Sequence, residues 1–107
     1  MTPQERYAGL VKFFLSKPRV TQEGKGFGSE SLRIGGSIFA LLSSRGEFVV
    51  KLPRHRVDEL IESGDGHRFD PGHGRLMKEW LALRPNSTKD WKALATEAKE
   101  FVASKSR

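Results

Sequence analysis

RIGGSIFALLSSRGEFVVKLP, residues 33–53, contains three short apolar runs separated by two turns that carry glycine. Both residues of Gly35-Gly36 tolerate the positive φ that a two-residue hairpin turn requires, so strands are expected on either side of this pair. Ser44-Arg-Gly46 has the composition of a second turn. The segment therefore predicts an antiparallel meander of three strands, Ser31–Ile34, Ser37–Ser43 and Glu47–Leu52.

Helical patterns lie on both sides of the meander. Thr2 and Glu5 have the spacing of a capping box, which predicts a helix start there, and Pro18 ends that helix. A second helix is predicted over Pro53–Ser63, and a third after the capping residues 86–88. The first and third helices each have one apolar face, formed by Tyr7, Leu10, Val11 and Phe14 and by Trp91, Leu94, Ala95, Ala98, Phe101 and Val102.

The alternation of residues 76–83 predicts one more strand. Trp80 in this strand is expected in the core, because a small domain needs its large hydrophobic side chains inside; stacking on a base or ligand is the alternative. The order of elements is helix, three-strand meander, helix, one or two strands, helix. It predicts an α+β domain over residues 1–107, with helices packed on one face of an antiparallel sheet and the N- and C-terminal helices flanking it.

Composition limits the classes of protein to consider. The chain has 107 residues, no cysteine and a net charge of +6, with a pI near 10. It has no apolar run near the roughly 20 residues that span a bilayer, and no secretion signal, so the cytoplasm is the expected location and no membrane partner is expected. The positive charge favours anionic partners such as nucleic acid, although it is spread along the whole chain.

The runs RIGGSIFALL (33–42), FVVKLP (48–53) and MKEWLAL (77–83), followed by an amphipathic helix, resemble the MmcQ/YjbR family. The N-terminal domain of TfoX-type competence regulators is related to it. The resemblance covers about residues 27 to 103. It implies the compact α+β fold called CyaY-like, which frataxin shares, and a DNA-binding role.

The densest basic segment is KLPRHR, residues 51–56. Cations at a strand end and a helix start can neutralise nucleic-acid phosphates, and the first N–H groups of a helix add to the attraction. The alternative is a solvated edge whose arginines pair with Asp58, Glu59 or Glu62. The candidate nucleic-acid contacts are Lys51, Arg54, Arg56, Arg33, Arg45 and Arg75.

GDGHRFDPGHGR, residues 64–75, holds four glycines, two histidines and two aspartates. A connecting loop is the first explanation of this composition. The histidine spacing matches no zinc pattern, so no metal and no cofactor are expected. If the domain has a small-ligand pocket, the candidate ligand-binding residues are His67, Arg68 and His73.

These observations lead to a non-enzymatic binding domain, with DNA as the expected partner of a basic face. The alternative is a small-ligand or protein-interaction domain with a pocket near residues 64–75. An enzymatic function would depend on the histidines and aspartates of that same loop, where no nucleophile is evident. The oligomeric state stays open, and a monomer is compatible with the sequence.

Overall fold

The computed structural model describes residues 2–22, 31–43, 45–69, 78–84 and 87–105. These ranges form an α+β fold with a sheet in the order β1-β2-β3-β4-β6-β5, in which every neighbouring pair is antiparallel. The strands are β1 (Val20–Gln22), β2 (Leu32–Ile34), β3 (Ser37–Leu42), β4 (Phe48–Lys51), β5 (Gly66–Arg68) and β6 (Trp80–Leu83). The helices are α1 (Pro3–Leu15), α2 (Arg54–Glu62) and α3 (Trp91–Lys105).

The three-strand meander is confirmed. Gly35 and Gly36 adopt φ values of 58° and 88° in the turn between β2 and β3, as a hairpin of this kind requires. The register shifts between β2 and β3, because Leu32 pairs with Ala40 whereas Arg33 pairs with Ile38. This bulge places Phe39 and Ala40, although consecutive, in the same hydrophobic core.

All three helices pack on one face of the sheet, as predicted. The main core joins α1, α2 and α3 to residues of five strands, including Leu32, Phe39, Phe48, Val50 and Leu81. Several of these are fully buried, and each contributes roughly 1.5–3 kcal/mol relative to an exposed side chain. Packing of this kind, more than helix propensity, holds the helices in place.

The opposite face of the sheet, which we call the helix-free face, carries a smaller apolar cluster of Leu41, Val49, Phe69 and Ala82. Trp80 is half-buried against this cluster and is absent from the main core. The predicted core position of Trp80 therefore holds in part: the ring packs against the smaller cluster and is only half-buried. The strand alternation explains the difference, since Leu81 and Leu83 point to the helices and Trp80 points away.

Two boundaries differ from prediction. The strand expected over 76–83 begins at Trp80 in the described residues, with Lys78 and Glu79 in a turn; residues 76 and 77 lie outside the description. The cap of α3 is Asp90 and not a residue of 86–88: its Oδ1 accepts the N–H of Lys92 at 2.9 Å, and its carbonyl accepts that of Leu94. The capping box of α1 is confirmed.

Two short strands, β1 and β5, complete the sheet at its edges. β5 was read in the sequence as part of a loop because it has only three residues and begins at a glycine. Gly66 packs closely on β6, where an added Cβ would come within 2.6 Å of the carbonyl oxygen of Ala82. Glycine is required there by this close backbone approach, not by a turn.

Candidate nucleic-acid interface

Lys51 is the last residue of β4 and lies on the helix-free face, opposite Trp80 of β6. Its Nζ is 5.7 Å from the centroid of the Trp80 ring. A lysine at this distance is attracted to the face of an indole, which orients the ammonium group above it. The Lys51 ammonium group therefore lies over a half-buried aromatic ring at one end of the sheet.

Arg33 lies on the same face, two strands away. It pairs with Ile38 of β3, and its Nη1 donates to the carbonyl oxygen of Gly36 at 3.0 Å. That bond directs the guanidinium towards the Gly35-Gly36 turn, at the end of the sheet where β4 also ends. Two strand spacings place the backbones of Arg33 and Lys51 about 10 Å apart.

Arg54 follows β4 closely as the first residue of α2. Its side chain is exposed and has no ion-pair or hydrogen-bond partner among the described residues. The first turn of α2 contains no acidic residue, and its N-cap, Pro53, provides no side-chain hydrogen bond. The positive end of the helix dipole therefore adds to the charge of Arg54.

Lys105, near the end of α3, also reaches this end of the sheet. It lines a cavity of about 120 Å³ together with Ser37, Lys51 and Val102. Its Nζ forms an ion pair with Glu79 at 3.1 Å. Sequence reasoning missed Lys105 because no local pattern relates the last turn of the chain to β4. We call Arg33, Lys51, Arg54 and Lys105 the basic sheet end.

Arg56 does not belong to this group. Its guanidinium binds both carboxylate oxygens of Glu97 on α3 and also contacts Glu59, one of the partners considered from the sequence. The hydrogen bond to Glu97 is the main reason that the pKa of Arg56 is raised above its ordinary value. The charge of this arginine is therefore largely compensated within the domain.

Arg45 is also separate from the basic sheet end. It lies in the turn before β4, whereas Lys51 ends β4, so about 15–20 Å of chain separates them. Its Nε is 3.9 Å from Oε1 of Glu47. Arg75, the remaining candidate, lies outside the described residues.

The candidate ligand residues His67 and Arg68 are each engaged within the fold. Nε2 of His67 is 2.7 Å from Oε2 of Glu47, and Nδ1 is 3.0 Å from the carbonyl oxygen of Arg68. The Arg68 guanidinium forms an ion pair with Asp58 of α2. His73 lies outside the described residues, as do 70–72 and 74–75.

Asp65 in the same segment connects α2 to the segment that precedes α3. Its carboxylate accepts hydrogen bonds from the hydroxyls of Ser63 and Ser87, and these bonds, that of Ser63 first, lower its pKa. Within the described ranges, no three His, Cys, Asp or Glu side chains come together as metal ligands.

The chain was compared with family models, curated proteins and solved structures, and none of them matches it. The likeness to the MmcQ/YjbR family therefore stays a prediction from the sequence. In the part of the chain that the structure describes, no helix has the length and apolar character needed to cross a membrane.

Proposed function

We propose that this domain is a non-enzymatic binding protein that contacts nucleic acid, DNA in the first instance, through the basic sheet end. The observation that carries the proposal is that Lys51 and Lys105 line one cavity, while Arg54 begins α2 just after β4 and Arg33 is directed to the neighbouring Gly35-Gly36 turn. Glu79 provides one compensating carboxylate there, through its ion pair with Lys105. A cytoplasmic location is part of this proposal.

The physical basis is the charge of the nucleic-acid backbone. Each phosphate that a lysine or arginine neutralises releases condensed counterions, so a cluster of cations binds nucleic acid with an affinity that falls as salt rises. The Trp80 ring lies under the Lys51 ammonium group, and an unpaired base can stack on it once that ammonium moves to a phosphate. The same end of the sheet thus offers contacts for phosphates and for a base.

The alternative, a ligand pocket near residues 64–75, has less support. His67 and Arg68 already bind Glu47 and Asp58, so a ligand would have to displace an internal partner from each of them. Two cavities lined by described residues lie elsewhere, one at the basic sheet end and one between α1 and α3.

A salt titration of the full chain against random duplex and single-stranded DNA tests the proposal. We expect binding at low salt, with the logarithm of the association constant falling linearly with the logarithm of the salt concentration. Because Lys105 is paired with Glu79, we expect three phosphate contacts, from Arg33, Lys51 and Arg54, and a slope of about −2 to −3, since each contact contributes about −0.9 on a duplex and −0.7 on a single strand. Absence of binding at low salt, or binding that does not depend on salt, would refute the proposal.

A further inference from the structure

A groove of about 340 Å³ runs between α1 and the start of α3, on the helical side of the molecule. Its lining combines apolar side chains, among them Leu10 and Phe13, with the cations Arg6 and Lys92. None of the residues of the basic sheet end lines it. The volume is at the lower end of the range that small-molecule sites occupy, roughly 300–1,000 Å³.

Arg6 is held in this groove by stacking. Its guanidinium carbon is 4.0 Å from the centroid of the Trp91 ring, and Trp91 in turn stacks on Phe48 at 4.5 Å with an interplanar angle of 8°. No carboxylate within the described ranges pairs with Arg6. The flat face of the guanidinium is thus used by the indole, while the N–H groups at its edge stay available to an acceptor.

Lys92 provides a second cation from the α3 side of the groove. Its Nζ is 3.8 Å from the centroid of the Phe13 ring, and it too has no carboxylate partner in the described part of the chain. One carboxylate, Asp90, lines the groove, and its Oδ1 accepts the backbone N–H of Lys92 as the cap of α3. The groove therefore carries two oriented cations and one carboxylate that is already hydrogen-bonded.

We propose that this groove binds a small monocarboxylate with an apolar body. The carboxylate accepts a bidentate pair of hydrogen bonds from the edge of the Arg6 guanidinium, a geometry that matches a planar carboxylate. Lys92 supplies the second charge, and the apolar body lies against Leu10 and the edge of the Phe13 ring, whose face is covered by lysines. A monoanion fits better than a dianionic phosphate, because Asp90 repels each additional negative charge.

Gly9 makes the groove testable without damage to the fold. It lines the groove within α1, and a Cβ added there would meet no atom within 4 Å. A larger side chain at this position would therefore occupy the groove itself. Because glycine is a poor helix former, its replacement by leucine also favours α1 by up to about 1 kcal/mol, so loss of binding in Gly9→Leu is not a result of unfolding.

The test is a titration of the ¹⁵N-labelled full chain with benzoate, followed by NMR at the Gly9 amide and the Trp91 indole N–H. Benzyl alcohol is the neutral comparison, and phenyl phosphate is the dianionic one. We expect both signals to shift with benzoate, at least about tenfold weaker binding in Arg6→Gln, and no binding in Gly9→Leu. Lys12→Gln, an exposed change on the same helix, and Lys51→Gln at the basic sheet end should leave benzoate binding unchanged.

Other results would overturn the proposal. Equal binding of benzyl alcohol would remove the role of the carboxylate, and tighter binding of phenyl phosphate would replace the monocarboxylate by a phosphate ligand. Absence of shifts with benzoate, or unchanged benzoate binding in Gly9→Leu, would show that the groove is not the binding site. The outcome is independent of DNA binding, which Lys51→Gln and not Gly9→Leu is expected to weaken.

Discussion

Arg56 and Glu97 form a bidentate ion pair between α2 and α3, with Nε to Oε1 at 3.0 Å and Nη2 to Oε2 at 3.3 Å. The two residues are 41 positions apart in the chain. The pair joins the middle helix to the terminal helix and removes Arg56 from the set of cations that are available to an external partner.

The ion pair between Arg56 and Glu97 should make a small contribution to the stability of the fold. Glu97→Gln should lower the free energy of unfolding by about 0.5–1 kcal/mol, a small effect because the pair is partly exposed. Because the folded pKa of Arg56 is raised, its contribution is fully present below the unfolded pKa and disappears only as pH rises through the folded value. Urea unfolding of Glu97→Gln should therefore show the same difference from the unmodified chain throughout neutral pH.

DNA binding should distinguish the cations of the basic segment 51–56 from one another. Lys51→Gln and Arg54→Gln should each make the salt slope about 0.9 less negative on a duplex, because each removes one phosphate contact. Arg56→Gln should leave the slope unchanged, since its charge is compensated by Glu97 and Glu59. Lys12→Gln provides the control for the loss of one charge, and an equal effect in Lys12→Gln would show that net charge alone is responsible.

Trp80 should distinguish single strands from duplexes. Trp80→Leu keeps an apolar side chain against the small cluster on the helix-free face and removes the aromatic plane beside Lys51. We expect single-stranded binding to weaken by about 1–3 kcal/mol, the typical contribution of one base stacked on an aromatic residue. Duplex binding, measured in the same buffer, should change little. An equal loss on both substrates would contradict a stacking role.

Asp65 predicts a pH dependence of stability. Its pKa is lowered by hydrogen bonds from Ser63 and then Ser87, so the carboxylate stabilises the fold above its unfolded pKa and loses this effect as pH falls through the folded pKa. Asp65→Asn should therefore lower the melting temperature at pH 7 and differ less and less from the unmodified chain in acid. Glu62→Gln, an exposed change at the end of α2, should show no such trend.

Gly66 and Gly9 should respond in opposite ways to the same substitution. Gly66→Ala places a Cβ against the backbone of Ala82 and should cost about 1–3 kcal/mol, the usual range for overpacking. Gly9→Ala adds a Cβ in open space within a helix and should be neutral or stabilising by up to about 1 kcal/mol. Denaturant midpoints of the two variants test this directly. Equal midpoints would contradict the close approach of β5 to β6.

The sequence was enough to predict the caps and turns that depend on residues close together in the chain. The capping box at Thr2 and the Gly35-Gly36 turn each depend on residues close together in the chain, and both are confirmed. The bulge at Phe39 was not predicted, because it exists only in the pairing of two strands. The three-residue strand β5 was missed for a similar reason, since it is formed by pairing with β6 and carries too few side chains to show a period.

In the candidate site, too, the sequence identifies residues that are neighbours in the chain but not the contacts that depend on packing. Lys51 and Arg54 were found in the sequence because they are neighbours, and they do lie at one end of the sheet. The sequence does not reveal that Arg56, two residues after Arg54, turns to Glu97 on another helix. It also does not reveal that Lys105 shares a cavity with Lys51, because only the packing of α3 across the sheet brings them together.

The strand order has a consequence for how the chain folds. β6 lies between β4 and β5 in the sheet, although β5 precedes β6 in the chain. Among the described residues, β5 therefore has no strand to pair with until β6 has been synthesised. During synthesis from the N-terminus, the meander of β2, β3 and β4 can form early from local contacts, whereas β5 can join the sheet only after residues 80–83 are made. The edge of the sheet that carries His67 and Arg68 is therefore completed only when two strands, separated by residues 69–79, pair as one of the last steps.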